Sequence, residues 1–194
     1  MPKHLAVAIT ALALVLPAGA AMAAENAFTD LDLKGCAVTD SAPPDGDENG
    51  KPEPYAWRCK GYGSWNVFIA EGDLRAGVAF SRARRFEDDY HYFPKFSVTG
   101  PKVEWRGPRR GNAIVPEAAI FRYIWSVDGR KGSVLAIARL GRDATDTCVF
   151  GYVDAVANPD ANALAARVAD EEAVRWVCNG NSPKWYGKVG EDFR

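Results

Sequence analysis

Histidine and methionine are scarce in this chain of 194 residues, with two of each, and several signatures are missing altogether. No Cys-x-x-Cys pair, Gly-x-Ser-x-Gly elbow or Walker lysine motif occurs, and Gly61-x-Gly63 is too short for a dinucleotide fingerprint. These gaps leave zinc ribbons, elbow-type serine hydrolases and nucleotide binding without support. Charge of one sign is also lacking: 24 Lys and Arg against 25 Asp and Glu give a net −1, so no global field draws in nucleic acid or anionic lipid. With 18 Gly and 12 Pro the chain is neither collagen-like nor low-complexity, and 47% hydrophobic residues are enough for a core.

What is present begins with an export signal. Lys3 and His4 precede an apolar run over 5–16, broken only by Thr10. That run has the length of a signal-peptide core and falls short of the ~20 residues of a spanning helix. Ala21-Met22-Ala23 offers small residues where a signal peptidase reads, predicting cleavage before Ala24. A lipid-modified anchor is disfavoured because no Cys follows. Residues 1–23 therefore read as a signal peptide and 24–194 as one exported domain, periplasmic or secreted, with no transmembrane segment in the mature part. All four cysteines lie in that part, and an even count in an oxidising compartment predicts two disulfides. Of the three pairings, Cys36 with Cys59 and Cys148 with Cys178 keep each bridge local. A strand leaving Cys148 and a helix returning to Cys178 have nearly matching lengths.

The clearest element is a helix over 159–177. Asn158 suits the N-cap, Pro159 the first turn and Asp160 the positive end of the dipole. Arg167, Asp170, Glu171 and Arg175 form its polar stripe, opposite Ala165, Ala169, Ala173 and Trp176. Upstream, 55–59, 64–70, 74–81, 102–106, 118–127, 133–140 and 147–155 are rich in β-branched and aromatic residues and read as strands. Their links are too short for crossover helices. The expected fold is α+β: a largely antiparallel sheet of about seven strands with one C-terminal helix packed on it. Residues 39–54 read as a loop on composition, and 82–101 as a long loop of the kind that often carries function.

Asp45-Gly46-Asp47-Glu48-Asn49-Gly50 resembles the first half of a calcium loop, with Glu53 at its ninth position, so Asp45, Asp47, Asn49 and Glu53 are the candidate metal ligands. Ala56 stands where an EF-hand has its bidentate Glu, and nearby prolines forbid flanking helices; a solvated acidic turn explains the same letters. No other cofactor is indicated. His91 is the only histidine after cleavage and sits among Tyr90, Tyr92 and Phe93, where a packed loop histidine is the bland alternative to a functional one. Arg82, Arg84 and Arg85 form one basic cluster; Lys102, Arg106, Arg109 and Arg110 form another around Trp105. With the loop aromatics they suggest a groove for an anionic or saccharide ligand, made of Arg82, Arg85, Tyr90, His91, Tyr92, Trp105, Arg109 and Arg110. The rival account pairs these arginines with neighbouring carboxylates.

Residues 57–63 (Trp-Arg-Cys-Lys-Gly-Tyr-Gly), 70–75 (Ala-Glu-Gly-Asp-Leu-Arg) and 158–165 (Asn-Pro-Asp-Ala-Asn-Ala-Leu-Ala) resemble segments of small exported proteobacterial proteins of uncharacterised function. The resemblance implies an envelope location and no catalytic residue. On this reading the chain is a binding domain rather than an enzyme, engaging an envelope ligand or a protein partner. The second reading is a small cell-envelope hydrolase using carboxylates, calcium-assisted at the acidic loop.

Overall fold

Alternating inward and outward side chains organise a computed structural model that describes residues 24–42, 53–87 and 89–193. The expected signal peptide and the candidate ligands Asp45, Asp47 and Asn49 lie outside these residues. The strands are β1 (Ala24–Asp30), β2 (Ala37–Ala42), β3 (Glu53–Lys60), β4 (Asn66–Gly72), β5 (Arg75–Ser81) and β6 (His91–Tyr92), followed by β7 (Ser97–Arg110), β8 (Ala113–Ile114), β9 (Ala118–Val127), β10 (Arg130–Arg139), β11 (Cys148–Asp154) and β12 (Lys184–Tyr186). They form one sheet in the order β12-β11-β10-β9-β7-β5-β4-β3-β2, with β1 and β8 added to β7 and β6 added to β5.

The α+β class holds, but the sheet has twelve strands and is mixed, where about seven, largely antiparallel, were expected. Both β5 with β7 and β11 with β12 are parallel. The parallel β11–β12 pair is possible because α1 (Ala161–Glu172) lies between them and returns the chain along the sheet, which a short hairpin link cannot do. The extra strands are mostly edges or two- and three-residue pairings with little apolar alternation. One of them, β2, occupies the start of the segment 39–54 that reads as a loop, and β3 its end. Strand β7 is far longer than 102–106, because Gly100-Pro101 and Gly107-Pro108 lie inside it rather than ending it. A register shift between Thr99 and Val103 absorbs the first pair. At the second, a Cβ on Gly107 would lie 2.0 Å from the Val115 carbonyl oxygen, so only glycine fits.

Sharp turns set the registers. Asp73 and Leu74 (φ 52° and 58°) link β4 to β5, and Asp128 and Gly129 (φ 50° and 77°) link β9 to β10, the left-handed pairs that two-residue hairpins require. Along β9, Phe121, Tyr123 and Trp125 face one way, and Ala118 and Ile120 the other. The first set joins Val103, Trp105, Val134 and Ala136 against Val67, Ile69, Val78 and Phe80 of β4 and β5. The second set packs with Leu135, Ile137, Phe150 and Val153 under Ala161, Ala165, Val168 and Ala169 of α1. The β7–β11 region is thus covered on both faces. Each fully buried large apolar side chain contributes roughly 1.5–3 kcal/mol.

The helix is shorter than 159–177, ending at Glu172 before a 3₁₀ turn at Ala173–Arg175. Asn158 is not its N-cap; Asp160 holds that position without a side-chain cap bond. Instead the buried Asn158 amide donates to the carbonyls of Asp154 (2.8 Å) and Lys188 (2.7 Å) and accepts from the Lys188 N–H (2.9 Å), fastening the C-terminal tail. Disulfides join Cys36 to Cys59 and Cys148 to Cys178, the local pairing. Among the described residues no helix is long and apolar enough to cross a membrane.

Candidate functional site

The segment after β5 does not leave the sheet; it folds back over the outer face of β4 and β5. Small residues make this possible. A Cβ on Gly77 would lie 2.6 Å from the Tyr92 ring, so glycine lets that ring lie on the strand. Next to it, the Phe86 ring stacks on Phe68 at 5.4 Å, and Tyr90 meets Phe86 edge-on at 5.1 Å. Phe68 is fully covered as a result. Two further bonds hold the loop: Arg58 Nη1 donates to the Arg84 carbonyl at 2.6 Å, and Asn66 Nδ2 to the Ala83 carbonyl at 2.9 Å.

Between this loop and β2–β3 lies a cleft of about 940 Å³, with Ala56, Phe68 and Ala70 among its lining and Tyr55, Tyr90 and Tyr92 bordering it. Arg58, Arg84 and Arg85 supply its positive charge, and Asp40, Glu71 and Glu87 its negative charge. Tyr55 Oη donates to Asp40 Oδ2 at 2.5 Å, and that bond raises the Tyr55 pKa. Burial raises that of Tyr90. Both phenols therefore stay neutral near neutral pH, with the Tyr55 proton engaged by Asp40 and that of Tyr90 left to donate. A smaller hollow of about 370 Å³ shares Ala37, Arg58 and Arg84 with this cleft and adds Gly35, Lys60 and Asn66, so the two form one groove.

On the other flank of the loop is a cleft of about 590 Å³, lined in part by Glu87, Asp89, Tyr90, His91, Thr147 and the Cys148–Cys178 bridge. His91 Nε2 shares a short hydrogen bond with Tyr152 Oη, and Tyr123 Oη donates to the His91 carbonyl at 2.7 Å. Burial lowers the His91 pKa to about 4 and raises that of Tyr152, so both rings are neutral at pH 7.

The predicted ligand set is brought together only in part. Arg85, Tyr90 and Tyr92 line the groove, and His91 faces the opposite cleft. Arg82 lies with its guanidinium 4.1 Å above the Trp65 ring and donates to the Gly141 and Arg142 carbonyls. Trp105 is no groove residue: β7 alternation turns it inward with Val103, it is fully buried, and its Nε1 donates to Thr29 Oγ1 at 2.8 Å. The second basic cluster is largely neutralised. Lys102 pairs with Asp30 at 2.6 Å, Arg106 with Glu104 at 2.5 Å and Asp170 at 2.6 Å, and Arg109 with Glu25. Arg109 and Arg110 sit at the far end of β7 beside β8 and line none of the clefts that border the loop.

Of the metal candidates, Glu53 is an exposed residue of β3 paired with Ala42, and among the described residues no group of three or more His, Cys, Asp or Glu is placed to hold a metal ion. The sequence reading missed Tyr55, Arg58, Lys60 and Phe86. Arg58 and Lys60 were detectable as alternate residues of one strand, hence on one face. No family model, curated protein or solved structure matches this chain.

Proposed function

We propose that this chain is an exported, disulfide-stapled binding domain of the periplasm or the extracellular medium, and that its ligand is a sugar-like molecule seated in the groove between the 82–92 loop and β2–β3. One contrast carries the reading. Lys102, Arg106 and Arg109 of β7 are matched by carboxylates, whereas among the described residues Arg58, Arg84 and Arg85 have no ion-pair partner, and they stand beside three tyrosines. Unmatched guanidinium groups next to tyrosine rings and phenol hydroxyls suit a hydroxylated ligand that stacks and exchanges hydrogen bonds. The two disulfides agree with an oxidising compartment.

The test is a thermal-shift screen of the oxidised protein against saccharides, because a ligand of the native state raises its midpoint. At least one oligosaccharide should raise the midpoint in wild type, and Tyr90→Ala with Tyr92→Ala should abolish the rise while the unliganded midpoint stays above working temperature. A rise that survives the double substitution would place the ligand elsewhere.

A further inference from the structure

We infer that the hollow formed by Arg58, Lys60 and Arg84 is an acid-group subsite, and that the groove ligand is therefore an acidic saccharide bearing a carboxylate or phosphate. This rests on the groove reading above and adds the chemistry of one end of it.

The hollow is built from two strands and a pinned loop. Arg58 and Lys60 are two apart on β3, so both point to its outer face, where they lie opposite Phe68 and Asn66 of β4. Arg84 arrives from above on the loop that Arg58 and Asn66 hold by its carbonyls at 2.6 and 2.9 Å. The rim residue Gly35 has nothing within 4 Å of where a Cβ would stand, which leaves the mouth open. Among the described residues, the lining of this space of about 370 Å³ has three cations and an amide and no carboxylate. Among the described residues none of the three cations is ion-paired, although Arg75, Arg106, Arg109, Arg130 and Arg139 all are. Three like charges around one hollow repel each other, and a bound anion relieves that repulsion while accepting charge-assisted hydrogen bonds. Because the loop is already fixed, little ordering remains to be done on binding.

The groove is also polar along its length. Asn66 marks the basic end, and Glu71, five residues along β4, lies about 17 Å away at ~3.4 Å per residue. Asp40 and its Tyr55 partner line the same groove. A saccharide with an acid group therefore has one preferred direction: acid toward Lys60, neutral hydroxyls toward Tyr55 and Glu71.

Isothermal titration of the oxidised protein with trigalacturonate, fructose bisphosphate and maltotriose tests this. Wild type should bind trigalacturonate at least tenfold more tightly than maltotriose. Lys60→Gln with Arg84→Gln should lower trigalacturonate affinity by roughly tenfold or more, toward that of maltotriose. Arg109→Gln with Arg110→Gln should change nothing, and circular dichroism should show both variants folded. If fructose bisphosphate binds in place of trigalacturonate and depends on Lys60 and Arg84, the subsite stands and its acid is a phosphate. If trigalacturonate binds Lys60→Gln/Arg84→Gln as tightly as wild type, the subsite is refuted. Equal binding of maltotriose and trigalacturonate, both lost in Tyr92→Ala, keeps the groove and refutes the acid subsite. If none of the three binds, both readings fall.

Discussion

Replacing Phe86 by alanine tests whether one ring seats the loop that makes the groove. Phe86 is half-buried and makes two ring contacts, stacked on Phe68 at 5.4 Å and edge-to-face with Tyr90 at 5.1 Å. Half of the ~3 kcal/mol that full burial of such a ring provides, with each aromatic pair adding ~0.5–1.5 kcal/mol, gives a loss of roughly 2–3 kcal/mol once overlap between the two contributions is allowed for. In urea, with a slope near ~2 kcal/mol/M, the unfolding midpoint should fall by about 1–1.5 M. Phe86→Leu should recover about half of the loss, since it keeps the apolar volume and discards the ring geometry. Amide exchange over 82–92 should quicken more than exchange in β9 and β10, which the ring does not touch. A midpoint unchanged within ~0.3 M, with exchange in 82–92 as slow as in wild type, would show that the two backbone-directed bonds from Arg58 and Asn66 hold the loop without the ring, and the reasoning would fail.

Other perturbations probe the frame around the groove. Cys148→Ser with Cys178→Ser opens a bridge spanning 30 residues and should cost about 3–4 kcal/mol in chemical denaturation; a loss below ~1 kcal/mol would mean the bridge constrains little. His91 is held at a pKa of about 4, below its ordinary 6.5, so its contribution to stability is complete above pH 6.5 and is lost as pH falls toward 4. His91→Gln should therefore flatten the stability–pH curve in that window by up to roughly 3 kcal/mol; parallel curves for wild type and variant would contradict the assignment. Arg106→Ala removes the cation from Glu104 and Asp170, both partly shielded, and leaves Glu104 only its bond from Asn26; it should destabilise by about 2–3 kcal/mol, while Glu104→Gln should cost less. Gly107→Ala forces a Cβ to within 2.0 Å of the Val115 carbonyl oxygen and should cost roughly 1–3 kcal/mol or more, read as a lowered melting midpoint.

Where apolar alternation was uninterrupted, the fold was legible. Residues 118–127 read as a strand because Phe121, Tyr123, Trp125 and Val127 make one face apolar at period two, with Arg122 and Ser126 on the other alongside Ile120 and Ile124, and β9 has those bounds. The helix was legible through its alanine face, though its N-cap was not: Asn158 looks the same whether it caps a helix or bonds a distant tail. Strand β1 exposes Phe28 and carries mostly polar residues, so nothing local marks it; its pairing with β7 does. Prolines 101 and 108 hid the length of β7, since a chain position alone does not say whether a missing N–H falls in a tolerant part of a strand. At the site, the sequence named the loop and three of its groove residues but placed Trp105 on the surface. The alternation of Lys102, Glu104 and Arg106 with Val103 and Trp105 already points that ring inward. That Arg58 and Lys60 share a face of β3 follows from their spacing, but their meeting with Arg84 does not, because the loop reaches them only in the folded chain.

The most direct measurement is chemical-shift mapping of the isotope-labelled, oxidised protein titrated with trigalacturonate. Saturable shifts should concentrate in 58–60, 66 and 82–92, with the Arg58 and Arg84 guanidinium and Lys60 ammonium signals moving most and β9–β11 unmoved. Shifts centred on 109–114, or on the cleft at Thr147 and Cys178 with 58–60 silent, would contradict the account.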